Sequence, residues 1–144
     1  MKGDDDDSHK ALGCKCLAVG ATTGHCVICT DKIAKEYEKL EDRVQARLER
    51  AMLRWCDGHA LTPEMFNGNE GRSVGNLMLQ VFKTHKVRLY GYETTLQGRR
   101  TFIIVERDLA KKQNKADQEL LKRAKNNIDA KELDVDKQNK RSRK

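Results

Sequence analysis

Between Ile33 and Trp55, apolar side chains return every three or four residues: Ile33, Tyr37, Leu40, Val44, Leu48, Ala51, Met52 and Trp55. This is the repeat of one helix face, with charged residues filling the positions between. Such a face must be buried against a second layer. The pattern reads either as one helix over 31–56 or as two helices broken near Leu40–Asp42. Asp31 and Asp42 are suited to cap them, because a short carboxylate accepts from free first-turn amides. Asp57-Gly58 closes the pattern, since glycine readily takes the left-handed conformation that ends a helix.

The rest of the chain supplies the second layer. Residues 59–76 (HALTPEMFNGNEGRSVGN) form a glycine-rich loop in which Thr62-Pro63-Glu64 could start one helical turn. Strands are predicted at 77–83, 87–94 and 100–106, with turns at Thr84-His85-Lys86 and Leu96-Gln97-Gly98. A short strand is predicted at His25–Thr30, where β-branched residues gather. A closing helix runs from Asp117 to about Asn127, with Leu120, Leu121, Ala124 and Ile128 on one face. Helices grouped before strands predict an α+β domain: a small antiparallel sheet, an N-terminal helical hairpin on one face and a C-terminal helix.

Charged residues make up 35% of the 144 and hydrophobic ones 38%, which allows only a modest core. The expected division is therefore an extension over 1–24, partly disordered, a domain over 25–130 and a basic disordered tail over 131–144. The net charge is +7, and a basic domain attracts polyanions by releasing their counterions. No apolar run approaches the roughly 20 residues that span a bilayer, so no membrane partner is expected. MKGDDDDSHK is acidic and carries no secretory pattern. With that start, the five cysteines favour reduced thiols in the cytoplasm over a disulfide framework.

The cationic residues concentrate in the second half. Lys83, His85, Lys86, Arg88, Tyr90, Arg99 and Arg100 lie on or beside the predicted strands, with Lys111, Lys112 and Lys115 just after them. Along a strand, Arg88, Tyr90 and Tyr92 share one face, and Val87 and Leu89 turn to the other. The expectation is a polar-aromatic stripe open to a phosphate backbone, with Tyr92, Lys86, Arg99, Arg100 and the three lysines as RNA contacts. The weaker NEGRS loop offers Glu70 as a base or Arg72 as a phosphate clamp, beside the plainer reading of a loop.

The element order and several segments resemble the RelE/HigB/ParE toxin superfamily of type II toxin–antitoxin modules, over about residues 25–130. The segments are HCVICTDKIAKEYEKLEDRVQARLERAM, QVFKTHKVRLYGYE and TFII…KKQNK…LLKRAK, the last closest to the phage-derived HigB-like branch. The resemblance implies a ribosome-dependent mRNA endonuclease in which a 2′-hydroxyl attacks the adjacent phosphate. By position, Lys83 and Arg88 would stabilise the phosphate, with Lys111, Lys112 or Lys115 beside them. Tyr90 or His85 would transfer protons, as each lies within two or three residues of Arg88. The implied partners are the ribosome, mRNA and a cognate antitoxin, and the chemistry would need no metal. ParE-like relatives inhibit gyrase instead, so a non-enzymatic inhibitor of a host protein is the alternative.

A second alternative comes from Cys14, Cys16, Cys26 and Cys29, whose C-x-C-x₉-C-x₂-C spacing could bring four thiolates to zinc in a nucleic-acid-binding accessory protein. Against it, Val27-Ile28 favours extended chain between the second pair. On a strand, residues three apart face opposite ways.

Overall fold

The computed structural model describes residues 8–110 and 117–142. Ten elements follow in order: α1 (Ser8–Ala11), β1 (Cys14–Val19), β2 (Cys26–Thr30), α2 (Asp31–Tyr37), α3 (Asp42–Cys56), β3 (Phe66–Asn67), β4 (Gln80–Thr84), β5 (Val87–Leu96), β6 (Arg99–Asp108) and α4 (Gln118–Ser142). The six strands form one sheet in the order β1-β2-β6-β5-β4-β3. Among the described residues, no helix is long and apolar enough to cross a membrane.

The domain is α+β, but its sheet is mixed rather than antiparallel. β2 runs parallel to β6, Cys26 pairing with Thr101 and Cys29 with Ile104, while every other neighbouring pair is antiparallel. The cause is the return path. β2 is followed by two helices and a long loop before the β4–β5–β6 meander, and a crossover of that length can bring a strand back in the same direction.

The period over 31–56 resolves into two helices rather than one. Thr30 and Glu41 take the N-cap positions, and neither cap makes a side-chain bond, so the expected capping by Asp31 and Asp42 is corrected: each carboxylate lies in the first turn. Gly58 closes α3 with a φ of 78°. α2 and α3 pack on the face of the sheet that carries Val27, Cys29, Phe82, Leu89, Phe102 and Ile104. The predicted Thr62-Pro63-Glu64 helical turn is a simple turn leading into β3.

The other face carries Ile28, Val81, Tyr90, Tyr92, Ile103 and Val105 and is covered by Leu120, Leu121, Ala124, Ile128 and Val135 of α4. Helices thus cover both faces. Two expected boundaries move. β1 lies within the former extension and forms the sheet edge beside β2. Residues 131–142, read as a tail, continue α4. Polar bonds tie that half down: the Tyr92 and Thr94 hydroxyls donate to Glu132 Oε1 (2.8 and 2.9 Å), and Asn139 Nδ2 donates to the Thr95 carbonyl (2.8 Å). These links carry no hydrophobic period, so composition alone suggested a free tail.

Candidate functional site

The β4–β5 hairpin is built by its register. Thr84 pairs with Val87, leaving His85 and Lys86 as the turn, and Lys83 pairs with Arg88. Arg88 in turn pairs with Asp108 of β6. Paired residues share a face, so Lys83, Arg88 and Asp108 form a row across three strands at one end of the sheet. Asp108 is the member that sequence reading missed, because only the β5–β6 register brings it there.

The side chains in this row differ in their partners. Arg88 Nη1 lies against the carbonyls of Thr84 (2.8 Å), Val87 (3.1 Å) and His85 (3.5 Å), so the guanidinium also braces the turn. His85 and Lys86 are exposed and Lys83 is half-buried. No hydrogen bond or ion pair joins these three side chains to another among the described residues. A basic group without an internal counter-ion is available to an external anion.

Tyr90 and Tyr92 do not stand out into this space. Both are directed to the α4 side and lie in its core, at 3% and 1% exposure. The predicted stripe is corrected here. Alternation does put them on the face opposite Val87 and Leu89, but that face carries a helix of its own. Burial raises the Tyr90 phenol to about 12, with Glu70, Asp108 and Asp117 adding to it and Arg88 opposing. At neutral pH Tyr90 is therefore a hydrogen-bond donor and a poor base. Tyr92 is raised further by burial and by its bond to Glu132, and it lies in the core rather than on the open stripe expected of it.

The β5–β6 register breaks at this point. Tyr90 pairs with Glu106 and Gly91 with Ile104, so Val105 is the extra residue of a bulge. A Cβ on Gly91 would sit 2.1 Å from the Ile103 carbonyl oxygen, which explains glycine there. Glu106, turned inward by the bulge, accepts from Arg123 Nε (3.2 Å), Asn127 Nδ2 (3.3 Å) and Arg107 Nη1 (3.1 Å). Arg107 also grips Glu36 through two bonds of 2.6 and 2.8 Å. These cations are internally paired.

The remaining candidates are not gathered at this end. Arg99 and Arg100 open β6, where Leu96 pairs with Arg99. From Arg88 to Leu96 the strand runs about 26 Å at roughly 3.3 Å per residue. Arg100 lies over the Trp55 ring at 3.8 Å, bonds to the Trp55 carbonyl (3.0 Å) and pairs with Glu93 (2.9 Å). Lys111, Lys112 and Lys115 lie outside the described residues. In the loop, Arg72 donates to the Asn76 carbonyl (2.9 Å) and Glu70 accepts from Asn67, so both serve the loop's own shape.

The four cysteines considered for zinc divide between the faces. Cys14 and Cys26 belong to the α4-side core and Cys29 to the opposite one, while Cys16 is exposed on β1. The strand geometry of Cys26 and Cys29 produces this split. Among the described residues, no three His, Cys, Asp or Glu side chains converge as a metal site requires.

The arrangement is that of a basic hairpin tip, with a neutral phenol behind it and a carboxylate beside it. No family model, no curated protein and no solved structure matches the chain.

Proposed function

We propose that the protein is a RelE/HigB-like toxin that cleaves mRNA on the ribosome, by attack of a 2′-hydroxyl on the adjacent phosphate. The reading is supported above all by one observation: Lys83, His85 and Lys86 share the β4–β5 hairpin end with Arg88, and none of the three has an internal counter-ion among the described residues. It is further supported by the element order from β2 to α4: strand, two helices, four strands paired antiparallel, helix.

Arg88 and Lys83 would bind the scissile phosphate and offset the charge that builds on it. Fixed charge of this kind typically contributes about 10²–10³-fold per group. His85 would carry the proton, because its imidazole is exposed at the hairpin end, whereas the Tyr90 phenol is held protonated. Tyr90, buried under α4, would support the strand that carries Arg88 rather than touch the phosphate. A cognate antitoxin would cover the same basic end.

The burial of Tyr90 also favours a second reading, in which this end binds a host protein without chemistry. Mapping transcript ends in a translating extract separates the two. The enzyme gives new ends within translated frames, lost in Lys83→Ala and Arg88→Ala proteins that unfold at the wild-type denaturant midpoint. Arrest of growth with intact transcripts contradicts the nuclease and leaves the inhibitor.

A further inference from the structure

The five cysteines occupy unlike surroundings. Cys14, Cys29 and Cys56 are buried, and burial pushes their thiols up to about 11, 12 and 12. Cys16 is exposed on β1. It pairs with Ile28, and Cys26 lies two residues further along β2 on the same face. The two are therefore diagonal neighbours across an antiparallel ladder.

Three groups converge on the Cys26 sulfur. The Thr101 hydroxyl lies 3.7 Å from it, and the Cys16 thiol and the Arg99 guanidinium are near enough to favour its anion. Cys16 is the largest influence holding the Cys26 thiol below its ordinary value, against the opposing effect of burial. Polar and cationic neighbours of this kind favour the thiolate, which is the nucleophile in disulfide exchange.

We propose that Cys16 and Cys26 form a redox-active thiol pair whose substrate is a low-molecular-weight disulfide. Cys16, the accessible member, gives up its proton and attacks one sulfur of the small disulfide. The bond between the two small-molecule sulfurs breaks, one half leaves as a thiolate, and Cys16 carries a mixed disulfide. The Cys26 thiolate then attacks the Cys16 sulfur and expels the second half. One Cys16 thiol, one Cys26 thiolate and one small disulfide become one Cys16–Cys26 disulfide, one small thiol that takes the Cys16 proton, and one small thiolate. A disulfide needs Cα atoms about 4.4–6.8 Å apart, and diagonal partners stand at roughly 7–8 Å. The gap closes at little cost here, because β1 is the sheet's edge strand and its register breaks between Cys16 and Ala18. The pair lies away from the Lys83–Arg88 end and does not depend on the RNA reading.

The test exposes the full-length protein to oxidised glutathione, alkylates the remaining thiols after unfolding and maps the peptides by mass spectrometry. The expected result is joint loss of free Cys16 and Cys26 into one linked peptide, with Cys14, Cys29 and Cys56 alkylated. In Cys26→Ser, glutathione remains on Cys16. The proposal is overturned if the wild-type protein keeps a lasting glutathione adduct on Cys16 with Cys26 free. It is equally overturned if the link forms to another cysteine, or if neither thiol reacts.

Discussion

The β5 and β6 strands carry arginines at both ends, and the two ends treat them differently. At the β5–β6 turn, Arg100 is stacked on Trp55, paired with Glu93 and bonded to a carbonyl, so its charge is absorbed by the fold. The turn itself has Gln97 and Gly98 at φ of 55° and 77°, and α4 holds it through Asn139 Oδ1 and the Gln138 carbonyl. At the other end, Arg88 bonds only to turn carbonyls, and Lys83, His85 and Lys86 stand beside it without anionic partners among the described residues. Charge count is thus a poor guide to binding: what sets Lys83, His85, Lys86 and Arg88 apart from Arg100, and from Arg107 at their own end, is whether the fold has already supplied an anionic partner. Sequence composition weighs both ends equally.

The largest expected effect is on activity. Arg88→Ala should lower cleavage by about 10²–10³-fold, whereas Arg100→Ala should leave it near wild type, as read from the rate of appearance of cut transcript. Equal losses would erase the distinction between the ends. Next comes the close β5–β6 contact at the bulge. Gly91→Ala places a Cβ against the Ile103 carbonyl and should destabilise the protein by about 1–3 kcal/mol or more in denaturant unfolding. An unchanged midpoint would show that β5 relaxes freely there.

Glu106→Ala removes the shared acceptor of Arg107, Arg123 and Asn127 and should cost about 1–3 kcal/mol by the same measurement. Glu36 sharpens the picture on the acid side. Its bond to Arg107 holds its carboxyl, in the folded state, below the usual carboxylate range. Its stabilising contribution is therefore complete above the unfolded value and is lost as pH falls through the folded one. Glu36→Gln should flatten that acid limb in a stability–pH series and leave the neutral-to-basic range unaltered in shape. The smallest effect belongs to the other end: Arg100→Ala should cost about 0.5–1 kcal/mol for the lost ring contact.

What the sequence revealed follows from which signals are periodic. The stripe from Ile33 to Trp55 announced the helices on one face, and the β4–β5–β6 meander was legible from its turns. The mixed sheet was not, because the direction of β2 relative to β6 depends on a long crossover rather than on local pattern. The length of α4 was hidden for a related reason: past Ile128 its attachment rests on Glu132, Val135 and Asn139, a spacing with one apolar anchor. At the candidate site, Lys83, His85, Lys86 and Arg88 were named from sequence and the register gathers them at one hairpin, and alternation put Tyr90 and Tyr92 on the face opposite Val87 and Leu89. That this face is itself covered could not be read from strand alternation, and Asp108 joins the row only through inter-strand register.

RNA contact at the hairpin end is tested most directly by the salt dependence of binding to a single-stranded RNA. Wild-type protein is compared with Lys83→Ala/Lys86→Ala and with Arg99→Ala/Arg100→Ala. Each lost phosphate contact should flatten the slope of log affinity against log salt by about 0.7. The predicted result is a slope flatter by about 1.4 in the Lys83/Lys86 variant and near the wild-type value in the Arg99/Arg100 variant. A loss confined to the Arg99/Arg100 variant, or shared equally by both, would contradict the assignment of the RNA site to the Lys83–Arg88 end.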